Sequence, residues 1–289
     1  MLNELNDKLQ EKLVFFIHLP KTGGTTMHSI IGKQYNSVEI FKTDQQYNSD
    51  FFVPDFDDHK KQQLKIVSGH YCFGYHKYFD RPFTYLTILR HPVERVISDY
   101  FHIINVPHHW LHKEVGLNNM TLEDFVTSGI SKLTENAQVR FLSGKNFETD
   151  FGKCSEKMLE IAKNNLQSYF SVVGITEEFD PTLLLLKKNL GWKMTSCLYT
   201  KQRVGHQSRK SYRPSEDTYK LIESHNSLDM NLYDEVKSNF TQTIASQDNN
   251  FGVELQVFRT LKQWSQSYSS LHKKAKTAYR NLSKVNEIV

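Results

Sequence analysis

Residues 13–26 read LVFFIHLPKTGGTT. The first seven, LVFFIHL, form an apolar, Phe-rich run of the kind that fills a strand buried on both faces. Pro20-Lys21-Thr22-Gly23-Gly24-Thr25-Thr26 then breaks the run, and MHSIIGKQY beyond it has helical spacing. A Gly-containing turn between a buried strand and a helix aims backbone N–H groups at one point, and the helix N-terminus adds partial positive charge there. Gly23 and Gly24 let an oxyanion approach the backbone without a Cβ in the way. Lys21 can add a full charge, and Thr22, Thr25 and Thr26 can add hydroxyls. The alternative is a plain strand–helix connection, but so many anion-binding groups in so few residues weigh against it. The order is not that of a Walker A loop, in which Lys follows the glycines. An ordinary kinase or ATPase is therefore disfavoured.

The same grammar continues along the chain. KIVS at 65–68, ended by Gly69, reads as a second buried strand, and TYLTIL at 84–89 as a third. Pro92 suits the first turn of a helix, where no donor is needed. In VERVISDYFHII, Val93, Val96, Ile97, Tyr100, Phe101 and Ile104 share one helical stripe. Helices are expected near 121–129, 134–143 and 155–168, a further core strand at YFSVVGI (169–175), and an edge strand at SCLYT (196–200). Asp180-Pro181 opens a Leu-rich helix that Gly191 closes. Strands alternating with helices predict an α/β fold: a central, mainly parallel sheet flanked by helices. From Phe258 onward Leu261, Trp264, Tyr268 and Leu271 recur at helical spacing with a basic outer face. This is an amphipathic C-terminal helical extension, read as residues 251–289 appended to a domain at 1–250. Packing on the domain or on a second copy in a homo-oligomer is the first reading, and a membrane-surface helix the second.

Composition narrows the class. Lys and Arg number 36 against 32 Asp and Glu, a net charge of +4, too small an excess for a nucleic-acid coat. No apolar run is long enough to cross a bilayer, and the polar start, MLNELNDKLQEKL, lacks the form of a secretory signal. Cys72, Cys154 and Cys197 form neither a disulfide framework nor a zinc pattern, so a cytoplasmic location is expected.

FFIHLPKTGGTT at 15–26 resembles the 5′-phosphosulfate loop of sulfotransferases that use 3′-phosphoadenosine 5′-phosphosulfate (PAPS), above all the family of heparan sulfate 2-O-sulfotransferase and its soluble bacterial relatives. YLTILRHPVERVISDY at 85–100 resembles the family's second motif, which grips the 3′-phosphate; its matching positions are Arg90 and Ser98, with His91 where many members have Asp. Arg90 leaves a strand at its C-terminal edge, where open α/β sheets bind ligands, and its planar fork suits a phosphate. Its alternative partner is Glu94. Ser68-Gly69-His70 resembles the Gly-His that carries the family's base. An imidazole is the natural base near neutral pH. His18 is read as orienting the loop. KQRVGHQSRKSYR at 201–213 resembles the basic segment that closes over the nucleotide, with Arg209 and Lys210 as the matches. The resemblance covers roughly residues 13–240.

It implies a P-loop-like sulfotransferase fold and in-line transfer of a sulfuryl group from PAPS to an acceptor hydroxyl, releasing adenosine 3′,5′-bisphosphate (PAP). His70 and Lys21 are the expected catalytic groups; Lys21, Thr22, Gly23, Gly24, Thr25, Thr26, Arg90, Ser98, Arg209 and Lys210 are the expected nucleotide contacts. No metal is required. His108, His109 and His112 could share a helix face as ligands, but no carboxylate or Cys frames them, and a loop beside the acceptor suits them better. The acceptor stays open among a glycan, a lipid or polyketide, and a small metabolite, with a Golgi-type glycan enzyme disfavoured by the missing anchor. The rival readings are a nucleotide or nucleoside kinase and a non-catalytic nucleotide-binding module.

Overall fold

The computed structural model describes residues 12–43, 56–145, 148–200 and 211–286, with side chains to residue 268. Five parallel strands form the sheet: β1 (Leu13–Ile17), β2 (Ile40–Thr43), β3 (Ile66–Gly69), β4 (Phe83–Leu89) and β5 (Phe170–Ile175), in the order β2-β3-β1-β4-β5. All five residues of β1 are buried, as its apolar run requires of a central strand covered on both sides. Its register sets Ile17 beside Gly69 on one flank and Thr87 on the other. The chain leaves β1 towards β2 and β3, then crosses to β4. The crevice between the C-terminal ends of β1 and β4 is therefore a topological switch point, where such sheets bind ligands.

The helices are α1 (Gly24–Gln34), α2 (Asp58–Gln63), α3 (Pro92–Asn105), α4 (Leu122–Thr127), α5 (Ala137–Ser143), α6 (Glu156–Tyr169), α7 (Phe179–Leu190), α8 (Glu216–His225), α9 (Ser227–Ala245) and α10 (Asn249–Asn286). The main core packs around the sheet. A second core holds the predicted stripe of α3, with Val93, Val96, Ile97 and Phe101 buried against Leu122 and Phe125 of α4 and Ile222 of α8. Pro92 opens α3 and Gly191 follows α7 at φ 66°, both as the sequence predicts.

One expectation fails. The edge strand at 196–200 is absent: Met194–Cys197 is a helical turn. Its neighbour is a helix rather than a strand. Gln34 of α1 donates to the Lys193 carbonyl at 3.1 Å and accepts from the Lys193 N–H at 3.0 Å, and Lys33 donates to the Leu198 carbonyl at 2.8 Å. The edge strand that does exist, β2, is IFKT, too short and too polar to stand out. The C-terminal stripe is divided between the body and solvent. Phe258 is buried, but Trp264 and Tyr268 are 70% and 74% exposed. The opposite side of the helix meets the body: Phe251 and Phe258 are buried, Glu254 pairs with Lys187 at 2.8 Å, Lys262 pairs with Asp180, and Gln266 donates to the Tyr199 carbonyl at 3.0 Å. Among the described residues no helix is long and apolar enough to cross a membrane.

Candidate active site

A cleft of about 1250 Å³ opens at the switch point, and His18, Lys21, Gly23, Gly24, Thr25, Thr26, His70, Arg90 and Ser98 all line it. Residues from the ends of three strands and the start of two helices thus converge, although they lie up to 80 positions apart in the chain.

The loop after β1 is tight. Lys21 (φ 68°) and Gly23 (φ 89°) both take left-handed backbone, which costs little at the glycine and is unusual at the lysine. Gly23 caps α1 without a side-chain bond, and no acidic residue sits in the first turn. The Thr26 N–H turns back to the Gly23 carbonyl at 3.0 Å, while those of Gly24 and Thr25 lie too early in the helix for an intrahelical acceptor, so their partial charge is left for a ligand. The two glycines are not interchangeable. Gly24 is needed for space: a Cβ there would stand 1.7 Å from Nε2 of His18. Thr22 departs from expectation. It is buried and its hydroxyl donates to the Leu19 carbonyl at 2.9 Å, so its side chain holds the loop's shape instead of facing the cleft. Arg209 and Lys210 lie outside the described residues.

Arg90 joins the two halves of the cradle. One guanidinium nitrogen donates to the Lys21 carbonyl at 3.1 Å, and another stands 3.6 Å from Glu94. No local pattern points to what fixes Arg90. Gln138 holds it from both sides, accepting from its N–H and donating to its carbonyl, each at 3.0 Å. Gln138 opens α5, whose first N–H groups are taken by the buried carboxylate of Asp229 at 3.0 and 2.8 Å. Burial raises the Asp229 pKa, while Arg95 and these amides pull the other way. Asp229 lies about 90 residues from its partners, so no local pattern announces it.

His70 follows β3, and its Nδ1 lies 2.7 Å from the carbonyl oxygen of His18. A carbonyl only accepts, so Nδ1 carries the proton and Nε2 the lone pair of the neutral ring. The rings of His18 and His70 stack at 4.0 Å, and His28 meets His18 edge-on at 5.0 Å. Burial first, then the neighbouring His70, His28 and Lys21, push the His18 pKa well below the ordinary histidine value.

The far wall is less regular. α3 contributes Ser98, Asp99 and His102, and the following segment adds His108, His109 and Trp110. His109 accepts the Leu111 N–H on Nδ1 at 3.2 Å, and burial lowers its pKa. His112 turns away to the Ile103 carbonyl at 2.9 Å. Among the described residues no group of His, Cys, Asp and Glu is arranged to hold a metal. Beyond the loop, Phe179 packs on Gly23, Tyr199 donates to Asp180 at 2.8 Å, and Arg259 and Lys262 of α10 complete the rim around that carboxylate.

The galactose-3-O-sulfotransferase family model matches residues 6–282. The chain belongs to the galactose-3-O-sulfotransferase family. That assignment supports the resemblance to sulfotransferases, places the chain more finely than the 2-O-sulfotransferase likeness does, and takes in most of α10. Human heparan-sulfate 6-O-sulfotransferase 1 is 29% identical over 189 residues, 56% of this chain and 44% of the relative. Mouse galactose-3-O-sulfotransferase 3 is 23% identical over 270 residues, 84% of this chain and 60% of the relative. The chain thus spans about half the length of the curated relatives it matches. A solved structure of mouse sulfotransferase SULT7A1 complexed with PAP covers 90% of this chain and 94% of its own at 13% identity, with a TM-score of 0.37.

Proposed function

We propose that this protein transfers a sulfuryl group from PAPS to a hydroxyl of a glycan. The observation that carries the reading is the meeting, in one cleft, of a bare helix N-terminus with Lys21, a second cation at Arg90, and an imidazole whose lone pair is fixed on Nε2. The named acceptors of the relatives, galactose and heparan sulfate, favour a sugar hydroxyl over a lipid or a small metabolite.

The residues present fit the donor. The N–H groups of residues 22–26, with the hydroxyls of Thr25 and Thr26, hold the 5′-phosphate; Arg90 and Ser98 hold the 3′-phosphate. When bound, PAPS supplies an electrophilic sulfur joined to a good leaving group. His70 Nε2 removes the proton of the acceptor hydroxyl as that oxygen bonds to sulfur. Lys21 neutralises the charge that returns to the bridging oxygen of the 5′-phosphate as its bond to sulfur breaks. None of these groups forms a covalent bond to substrate, so rate enhancement comes from positioning and from charge stabilisation.

Calorimetry with PAP and with ATP–Mg²⁺ tests the donor, and mass spectrometry of neutral and sulfated oligosaccharides incubated with PAPS tests the transfer. PAP is expected to bind and ATP–Mg²⁺ to bind much more weakly, with sulfate appearing on a sugar. Equal binding of the two nucleotides, or no transfer to any sugar, would overturn the proposal.

A further inference from the structure

Nδ1 of His18 is buried without a hydrogen-bond partner. Such an orphan inside a folded protein calls for an explanation. The residue is half-buried and lines the cleft. Its other nitrogen, Nε2, lies against Gly24 at the first turn of α1, where a Cβ would come within 1.7 Å.

The orphan fixes the tautomer. A neutral imidazole bears one proton. A proton on Nδ1 would make a buried N–H with no acceptor, the rarer and costlier defect; a bare lone pair there is the lesser one. The proton therefore sits on Nε2. Neutrality has its own cause in burial and in the flanking His70, His28 and Lys21. In their neutral forms His18 and His70 thus stack as opposites: His70 bears its lone pair on Nε2 and His18 its N–H.

We infer that His18 is a catalytic hydrogen-bond donor, presenting Nε2–H to the anion that the phosphate loop holds. The inference rests on the sulfuryl-transfer reading of the same cleft. His18 undergoes no covalent change. As the bridging S–O bond breaks, the electron pair returns to the phosphate oxygen while the acceptor's proton passes to His70. The N–H of His18 then strengthens its hydrogen bond to the oxygens gaining charge. A neutral donor beside Lys21 adds stabilisation without a second cation against the base.

The test combines one spectrum with three variants. Nitrogen NMR of the wild-type protein without nucleotide is expected to show His18 protonated on Nε2, and inorganic phosphate is expected to shift that N–H. His18→Gln places an amide donor near the Nε2 position and should keep kcat within about tenfold. His18→Asn, which reaches only the Nδ1 position, and His18→Phe, which keeps the ring stack, should each lose about 10²-fold in kcat. PAP affinity should fall far less than kcat, since the bond strengthens in the transition state. An Nδ1–H tautomer, an N–H unmoved by phosphate, or wild-type turnover in His18→Phe would overturn the inference. If His18→Phe does not fold, the Gln and Asn variants carry the comparison. If the wild type transfers no sulfate, the parent reading fails, and the tautomer and phosphate shift still decide the role of His18 as an anion donor.

Discussion

The cleft has two walls built in different ways. The donor wall rises from the ends of β1, β3 and β4, where register leaves the backbone no slack: Ile17 is pinned between Gly69 and Thr87, and His18 and His70, next in line, line one cleft with Arg90 at the end of β4. The far wall comes from α3 and the irregular segment after it, and from α10, the most distant part of the sequence. Nothing in the sheet dictates where Trp110 or Lys262 stands. A site assembled this way holds its chemistry on the rigid side and leaves recognition to the side that can vary.

Damage to the reacting groups of the donor wall, His70 and Lys21, should therefore be read mainly in kcat. His70→Ala removes the base and should lower kcat about 10²–10⁴-fold with PAP affinity nearly intact. Steady-state kinetics beside calorimetry checks this, and equal losses in both would take His70 out of that role. Lys21→Ala should cost about 10²–10³-fold in kcat. A mild effect would mean that the helix N-terminus carries the charge alone.

The donor wall has a support that only the folded chain reveals. Arg90→Ala should weaken PAP by about 10–100-fold, the worth of charge-assisted hydrogen bonds, and erase the preference for PAP over the nucleotide lacking the 3′-phosphate. Gln138→Leu should copy that defect more weakly, because Gln138 holds only the main chain of Arg90. Calorimetry with both nucleotides separates the two variants. A Gln138 variant with unchanged PAP affinity would show that the strand alone fixes the arginine.

The far wall should answer in the acceptor's KM. Trp110 is 58% exposed and lines the cleft, so it is available to stack on a ring. Trp110→Ala should raise the acceptor KM about twofold to tenfold and leave kcat unchanged. A kcat effect as large as that of Lys21→Ala would dissolve the distinction between the walls.

The sequence showed the donor wall because its signals are local. An apolar strand, a turn rich in Gly and Thr, and Arg-His-Pro before a helix each occupy a few consecutive residues, and each reads the same way in isolation. Parallel pairing then brings them together without further instruction. What stayed hidden depends on distant pairs: Gln138 on Arg90, Asp229 on Gln138, Asp180 with Tyr199 and Lys262. Thr22 misleads for the opposite reason. Its place in the motif suggests a ligand contact, while a three-residue reach back to Leu19 uses its hydroxyl. The strand expected at 196–200 failed because its backbone found side chains of α1 before it could find a sheet.

The smallest expected effect is on stability, and it isolates His18 from its neighbours. Its folded-state pKa lies well below the ordinary value of 6.5, so the unfolded chain binds a proton more readily than the native one. Above that value both states are neutral and the native advantage is whole. As pH falls below it the unfolded state gains protons first, and native stability declines until His18 itself protonates. The slope in that window is at most about 1.4 kcal/mol per pH unit for one such group. His70, His28 and Lys21 face the ring and sharpen the penalty for a charge on it. Urea unfolding at a series of pH values should show the wild type losing midpoint as pH falls below 6.5. His18→Phe should lose less over the same range, with its absolute stability at neutral pH equal or higher, since the orphaned Nδ1 is gone. Parallel curves for the two proteins would mean that His18 is as easily protonated folded as unfolded. The donor wall would then lose the neutral N–H of His18 as pH falls below 6.5.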